Sequence, residues 1–197
     1  MINIVYCVCG QSEIPDGISE ERKRKIEDTG NKSLREQMIG AAKVLKTGFG
    51  LYGINEREVI YVKNDFGKPY ALDSPEVYFS LSHTDGFAVA AFGGAELGLD
   101  CERSDRQIPD KVIGKYFTAE EQKAYGNESI RLWTLLESYG KFTGRGLVRE
   151  KNRDFHIPYF KSEYYDGSIF FRFIRLCGFD VTVCGPVKDE IRLVETK

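Results

Sequence analysis

Residues 2–9, INIVYCVC, form an apolar run rich in Ile, Val, Tyr and Cys, the pattern of a buried opening strand. A charged stretch follows and runs into MIGAAKVLKTGF. Ser19 ahead of Glu20 and Glu21 predicts one helix start, and Ser33 with Glu36 predicts a second through a capping box. Leu34, Met38, Ala41, Ala42 and Leu45 recur near the helical period and form the expected buried face of that second helix, which Gly48 and Gly50 then break. REVIYVKND reads as a strand ending in a turn. Next comes the pattern of a β-meander: strands at 77–83, 87–92 and 97–102, separated by Thr84-Asp85-Gly86 and Gly93-Gly94. Helices are predicted at 109–116, at 118–125 with a Thr118/Glu121 capping box, and over SIRLWTLLESYGKF up to Gly144 and Gly146. A hairpin around Asp166-Gly167 and a strand FDVTVCG close the pattern. Strands and helices thus come in two successive sets. That order predicts an α+β protein of two similar lobes, residues 1–95 and 96–197, each an antiparallel sheet packed on a long helix, with the active site in the cleft between them.

A chain of 197 residues buries roughly 70% of its unfolded surface and needs neither disulfide nor metal to fold. A net charge of −2 and a pI near 5.8 argue against broad nucleic-acid or membrane-surface binding. The cysteines are odd in number and lack a CxxC pair, so they read as small buried hydrophobes of a reducing compartment. The opening apolar run lacks a basic leader and reads as a strand instead of a signal peptide, and no segment reaches the roughly 20 apolar residues of a membrane span. The expected setting is the cytoplasm.

Four short stretches are candidates for chemistry. In LGLDCE, strand alternation puts Asp100 and Glu102 on one face and Cys101 on the other. Two carboxylates that close repel unless a cation relieves them, and a hard divalent ion is one answer; a solvated strand end helped by Arg103 and Arg106 is another. In WTLLESYGK, Trp133, Glu137 and Lys141 fall on one helix face, which an ordinary Glu–Lys pair also satisfies. In SLSH, His83 stands at a strand end beside Ser82, as either a phosphate donor or a surface residue. In GKP, Pro69 stiffens a loop that presents Lys68, as either a phosphate anchor or a plain turn. Neither a Walker A loop nor a GxGxxG fingerprint is present, and two histidines make a His-based metal site improbable.

Taken in order, GKP, LSH, GLDCE, WTLLESYGK and GRGL (residues 144–147) resemble the 4′-phosphopantetheinyl transferase superfamily, in its two-lobed, surfactin-synthetase-activating type. The likeness runs over residues 67–147 and departs where the family places a lysine and this chain has Leu136. The resemblance implies transfer of the phosphopantetheine arm of coenzyme A, the co-substrate, to a serine of an acyl or peptidyl carrier protein, with Mg²⁺ as cofactor and 3′,5′-ADP released. It implies Asp100, Glu102 and Glu137 as metal ligands, Glu137 or Glu102 as the base, and Lys141 on the β-phosphate. Lys68, Ser82, His83 and Lys141 would bind coenzyme A, with Arg35, Arg24 or Lys32 as candidates for the 3′-phosphate. The carrier would meet a rim near residues 111–117, and two lobes in one chain imply a monomer without nucleic-acid or membrane partners. The rival functions are a Mg²⁺-dependent nucleotide phosphohydrolase and a non-catalytic relative that binds coenzyme A or a carrier protein. Leu136→Lys is expected to keep or improve coenzyme A affinity.

Overall fold

A computed structural model describes residues 1–10, 13–147 and 155–196. The opening strand β1 spans Ile2–Val8. Helix α1, Glu20–Glu27, starts where Ser19 accepts a hydrogen bond from the Arg22 N–H, as the sequence predicts. Helix α2, Lys32–Gly50, is capped by Asn31 and not by Ser33: the Asn31 side chain takes the Leu34 N–H, while the Ser33 hydroxyl donates to Asp85. Leu34 consequently stands at the exposed edge of the helix, and the buried face is Ile39, Ala41, Ala42, Val44, Leu45 and Phe49. Gly48 does not break α2. A β-carbon there would lie 1.9 Å from the Phe92 ring, so the glycine lets the helix press onto the sheet.

A small hairpin follows, β2 (Tyr61–Lys63) with β3 (Pro69–Ala71). Then come β4 (Tyr78–Thr84), β5 (Phe87–Gly93) and β6 (Gly98–Arg103). Helices α3 (Asp110–Tyr116), α4 (Ala119–Tyr125) and α5 (Ser129–Thr143) precede β7 (Glu163–Tyr165), β8 (Phe170–Leu176), β9 (Phe179–Gly185) and β10 (Ile191–Glu195). The Thr118/Glu121 capping box opens α4 as expected, and the buried Glu121 also accepts the Ile157 N–H at 2.8 Å.

The strands form two four-stranded sheets, ordered β10-β1-β5-β4 and β6-β9-β8-β7, beside the β2-β3 pair. The meander expectation fails at its third strand. β6 hydrogen-bonds to β9, not to β5, and runs alongside β4 through side chains: the Ser80 hydroxyl accepts from the Leu99 N–H at 2.9 Å and the Ser82 hydroxyl from Cys101 N–H at 3.4 Å. These serines satisfy strand donors that a backbone ladder would otherwise take. Strand β10, which the sequence reading omits, lies within residues 96–197 yet pairs parallel with β1 in the first sheet.

Helix α2 packs on β1 and β5, and α5 packs on β6 and β9. An apolar layer joins the sheets themselves, with Ile4, Val89, Leu99, Cys101 and Val181 buried and the Phe87 and Phe179 rings stacked at 4.5 Å. No disulfide forms; Cys7, Cys101 and Cys184 are buried as expected, whereas Cys177 is exposed at a turn with φ of 52°. Among the described residues no helix is long and apolar enough to cross a membrane.

Candidate active site

The seam between β4 and β6 brings the predicted residues together. Ser82 on β4 donates to Asp100 Oδ1 at 2.8 Å, and the Lys141 ammonium on α5 reaches the same oxygen at 2.7 Å and the Ser82 hydroxyl at 3.0 Å. Asp100 is buried, and its Oδ2 has no hydrogen-bond partner among the described residues. Two residues along the same strand, Glu102 accepts from the Thr84 hydroxyl at 3.2 Å and pairs with Arg106. The alternation read from the sequence explains this: Asp100 and Glu102 meet side chains of β4 while Cys101 enters the apolar layer on the other face.

Glu137 lies one helical turn before Lys141 on α5. Burial, and then the nearby charge of Asp100, push its pKa up to about 7 against the attraction of Lys141. Burial alone would lower the Lys141 pKa, but the charge and hydrogen bond of Asp100 outweigh it and raise it. Because the folded protein holds the Glu137 proton more tightly than a free carboxyl of pKa 4.5, that stabilisation is complete below about 4.5 and is lost as pH rises through about 7. In metal-free protein, Tm should therefore fall more steeply between about pH 4.5 and 7 in the wild type than in Glu137→Gln, by thermal melts across the series.

Two adjoining hollows flank this cluster and share Pro69 and Leu81 as a common wall. One, of about 480 Å³, is lined by Arg22, Lys25, Lys63 and His83 together with Tyr61, Phe79 and Leu45. The other, of about 200 Å³, runs past Phe66, Glu137 and Lys141 to Gly144 and Gly146. The protein around His83 and the charge of Lys141 lower the imidazole pKa, and Nδ1 is 3.0 Å from Gln37 Oε1. A larger hollow, of about 640 Å³, opens between Arg106, Ile113 and Tyr125 and holds none of the predicted residues.

Four predicted basic residues make other contacts or stand exposed. Lys68 does not project from its loop: it is buried, with its ammonium on Glu96 and on the carbonyls of Leu97 at 3.0 Å and Phe142 at 3.4 Å. Arg35 donates to the Ile26 carbonyl at 3.0 Å and so ties α1 to α2. Lys32 is 91% exposed beside Glu36, and Arg24 is exposed too, so the basic residues at the larger hollow of the pair are Arg22 and Lys25 instead. A signal for these existed: with Ser19 as the cap, residues three apart on α1 share a face. Arg22 is held there by the buried Glu56, which accepts from its Nε at 2.9 Å and from the Tyr61 hydroxyl at 2.8 Å. Nothing in the sequence around Glu56 marks it.

A family model for the 4′-phosphopantetheinyl transferase superfamily matches residues 96–172, the stretch from the approach to β6 through α5 to β8. Over that stretch the chain is similar to the superfamily. It is 25% identical over 143 residues to 4′-phosphopantetheinyl transferase gsp of Aneurinibacillus migulanus, covering 68% of this chain and 59% of that relative. To 4′-phosphopantetheinyl transferase Sfp of Bacillus subtilis strain 168 it is 23% identical over 139 residues, covering 66% of this chain and 62% of Sfp. The matched region therefore spans less than two thirds of either relative. The superfamily motifs fall on β4, β6 and α5, the elements that meet at Asp100.

Leu136 now has a structural reason. It is 1% exposed and packs with Leu132, Phe171 and Cys184 under the second sheet. A lysine there would bury its charge in an apolar cluster, so the expected gain from Leu136→Lys is replaced by its opposite. That substitution should destabilise the fold by about 3 kcal/mol or more, measured by denaturant unfolding.

Proposed function

We propose that this chain transfers the 4′-phosphopantetheine arm of coenzyme A to a serine hydroxyl of an acyl or peptidyl carrier protein, in a Mg²⁺-dependent reaction that releases 3′,5′-ADP. The observation that carries the reading is the Asp100–Lys141 pair, with Glu137 and Glu102 beside it, next to a hollow lined by four basic side chains. Arg22, Lys25, Lys63 and His83 would hold the phosphates of the ADP portion, with Tyr61 and Phe79 offering apolar surface. Lys141 would neutralise charge that develops as the pyrophosphate bond breaks, and Ser82 keeps its ammonium in register with Asp100. Glu137 or Glu102 would take the serine proton.

The donor chemistry fits Mg²⁺. Asp100 offers a buried oxygen without a partner, and the carboxylates raise the proton affinity of Glu137, a repulsion that a hard cation relieves. Asp100, Glu102 and Glu137 would hold the ion, which supplies charge neutralisation at phosphate oxygens. Among the described residues no three His, Cys, Asp or Glu side chains stand close enough to make a preassembled centre.

We read the two sheets as two related lobes, residues 1–95 and 96–197 with β10 returned to the first, and the site as the cleft along their seam. One chain then completes the site as a monomer, in the cytoplasm, without nucleic acid or membrane. Lys111 and Lys115, exposed on α3, give the rim a charge suited to an acidic carrier. Mass spectrometry of an apo carrier protein after incubation with this chain, coenzyme A and Mg²⁺ tests the reading. A gain of one phosphopantetheine is expected; unmodified carriers across a panel of acyl and peptidyl types would overturn it.

A further inference from the structure

The GKP loop touches the site from behind. Asn64, at its start, accepts hydrogen bonds from the N–H groups of Phe66 at 3.0 Å and Lys68 at 2.9 Å, which closes the turn. The other end of the same amide donates to the Gly144 carbonyl at 2.9 Å. Gly144 is the left-handed residue that ends α5, with φ of 67°. The Lys68 ammonium adds the Phe142 carbonyl two residues back and the Leu97 carbonyl just before β6, with Glu96 as its counter-ion.

Helix ends leave carbonyls without intrahelical partners and carry partial negative charge. Here the acceptors at the end of α5 are met by a side chain amide and an ammonium from a distant hairpin. The same ammonium holds the backbone that leads into Asp100. Close by, Gly98 brings β6 and α5 into backbone contact: a β-carbon there would lie 2.0 Å from the Ser138 carbonyl and 2.3 Å from the Phe142 nitrogen.

We infer that Lys68 and Asn64 are positioning residues: they pin the end of α5 against the start of β6 and so hold Glu137 and Lys141 opposite Asp100. The inference rests on the transferase reading and departs from the phosphate-anchor role that the motif suggests. The Lys68 ammonium bonds to Glu96 and to the Leu97 carbonyl, both just before β6, and to the Phe142 carbonyl of α5, so it bridges the approach to Asp100 and the helix that carries Glu137 and Lys141. A group so engaged affects the reacting geometry and leaves the affinity for the nucleotide to Arg22, Lys25 and Lys63.

The two roles separate in kinetics. In Lys68→Met, and independently in Asn64→Ala, kcat for modification of an apo acyl carrier protein should fall about tenfold or more. The Kd for 3′,5′-ADP, by titration calorimetry, should change less than about twofold, since no nucleotide contact is removed. Lys68→Met leaves Glu96 without its partner. The double variant Lys68→Met/Glu96→Gln therefore removes that charge, and the same split between kcat and Kd is expected in it. Lys68→Arg, which restores a cation to the Leu97 and Phe142 carbonyls, should recover part of kcat. A tenfold weaker 3′,5′-ADP Kd with kcat retained would overturn the inference in favour of a phosphate ligand, and unchanged kcat in all the variants would overturn it outright. Failure of the transferase reading shows separately, as absence of transfer by the wild type.

Discussion

Asp100→Ala should lower kcat/KM for carrier-protein modification by about 10³-fold and remove its dependence on Mg²⁺. Asp100 takes the Ser82 hydroxyl, anchors the Lys141 ammonium and presents a buried oxygen without a partner among the described residues. Alanine removes all of these and leaves Lys141 beside Ser82 without its counter-charge. The fold should survive, because β6 keeps its ladder to β9 and its serine bridges to β4, which use backbone groups. Far-ultraviolet circular dichroism and a thermal melt check that part. Asp100→Asn refines the result, since it keeps a hydrogen-bond acceptor for Ser82 while removing the charge. It should be nearly as inactive as the alanine variant. Turnover at the wild-type rate in either would remove Asp100 from the mechanism.

Gly98→Ala should be the most damaging single methyl group in the chain. The new carbon would overlap backbone atoms of α5, which cannot rotate away as a side chain end does. Strand and helix must separate, and the separation falls one residue pair from Asp100 and one turn from Lys141. The expected destabilisation is about 3 kcal/mol or more in denaturant unfolding, with transfer activity lost even where folded protein is recovered. Stability and activity close to wild type would show that the two elements do not need this contact.

The sequence made the elements legible where local chemistry decides them. Ser19 and Thr118 cap helices as their hydroxyls predict, and strand alternation put Asp100 and Glu102 on one face, which meets β4, and Cys101 on the other, which enters the core. It failed where long-range partners decide. β6 looked like the third strand of a meander because its sequence neighbours are β4 and β5; its actual ladder partner, β9, is brought there by α5 packing on both. Gly48 read as a helix stop, yet its role is to admit the Phe92 ring, which no local pattern announces. Lys68 illustrates the same limit in the site itself. A lysine beside proline in a loop suggests an exposed charge, and only the tertiary fold brings Glu96 and two carbonyls to receive it. Arg22 and Lys25 were in plain view on one face of α1, but nothing local said that this face would look onto a hollow.

The parallel pairing of β10 with β1 has a consequence for how the molecule is made. Tyr6 and Glu195 are hydrogen-bonded across 189 positions of sequence, so the first sheet waits for its edge strand until nearly everything between has been synthesised. On the ribosome, the segment from β6 to β9 emerges before β10 and has its own helix and core to condense on, while the β1 edge that β10 covers stays open. Such non-local closure belongs to the slow end of folding. The β1 edge thus stays bare until β10 follows the rest of the chain.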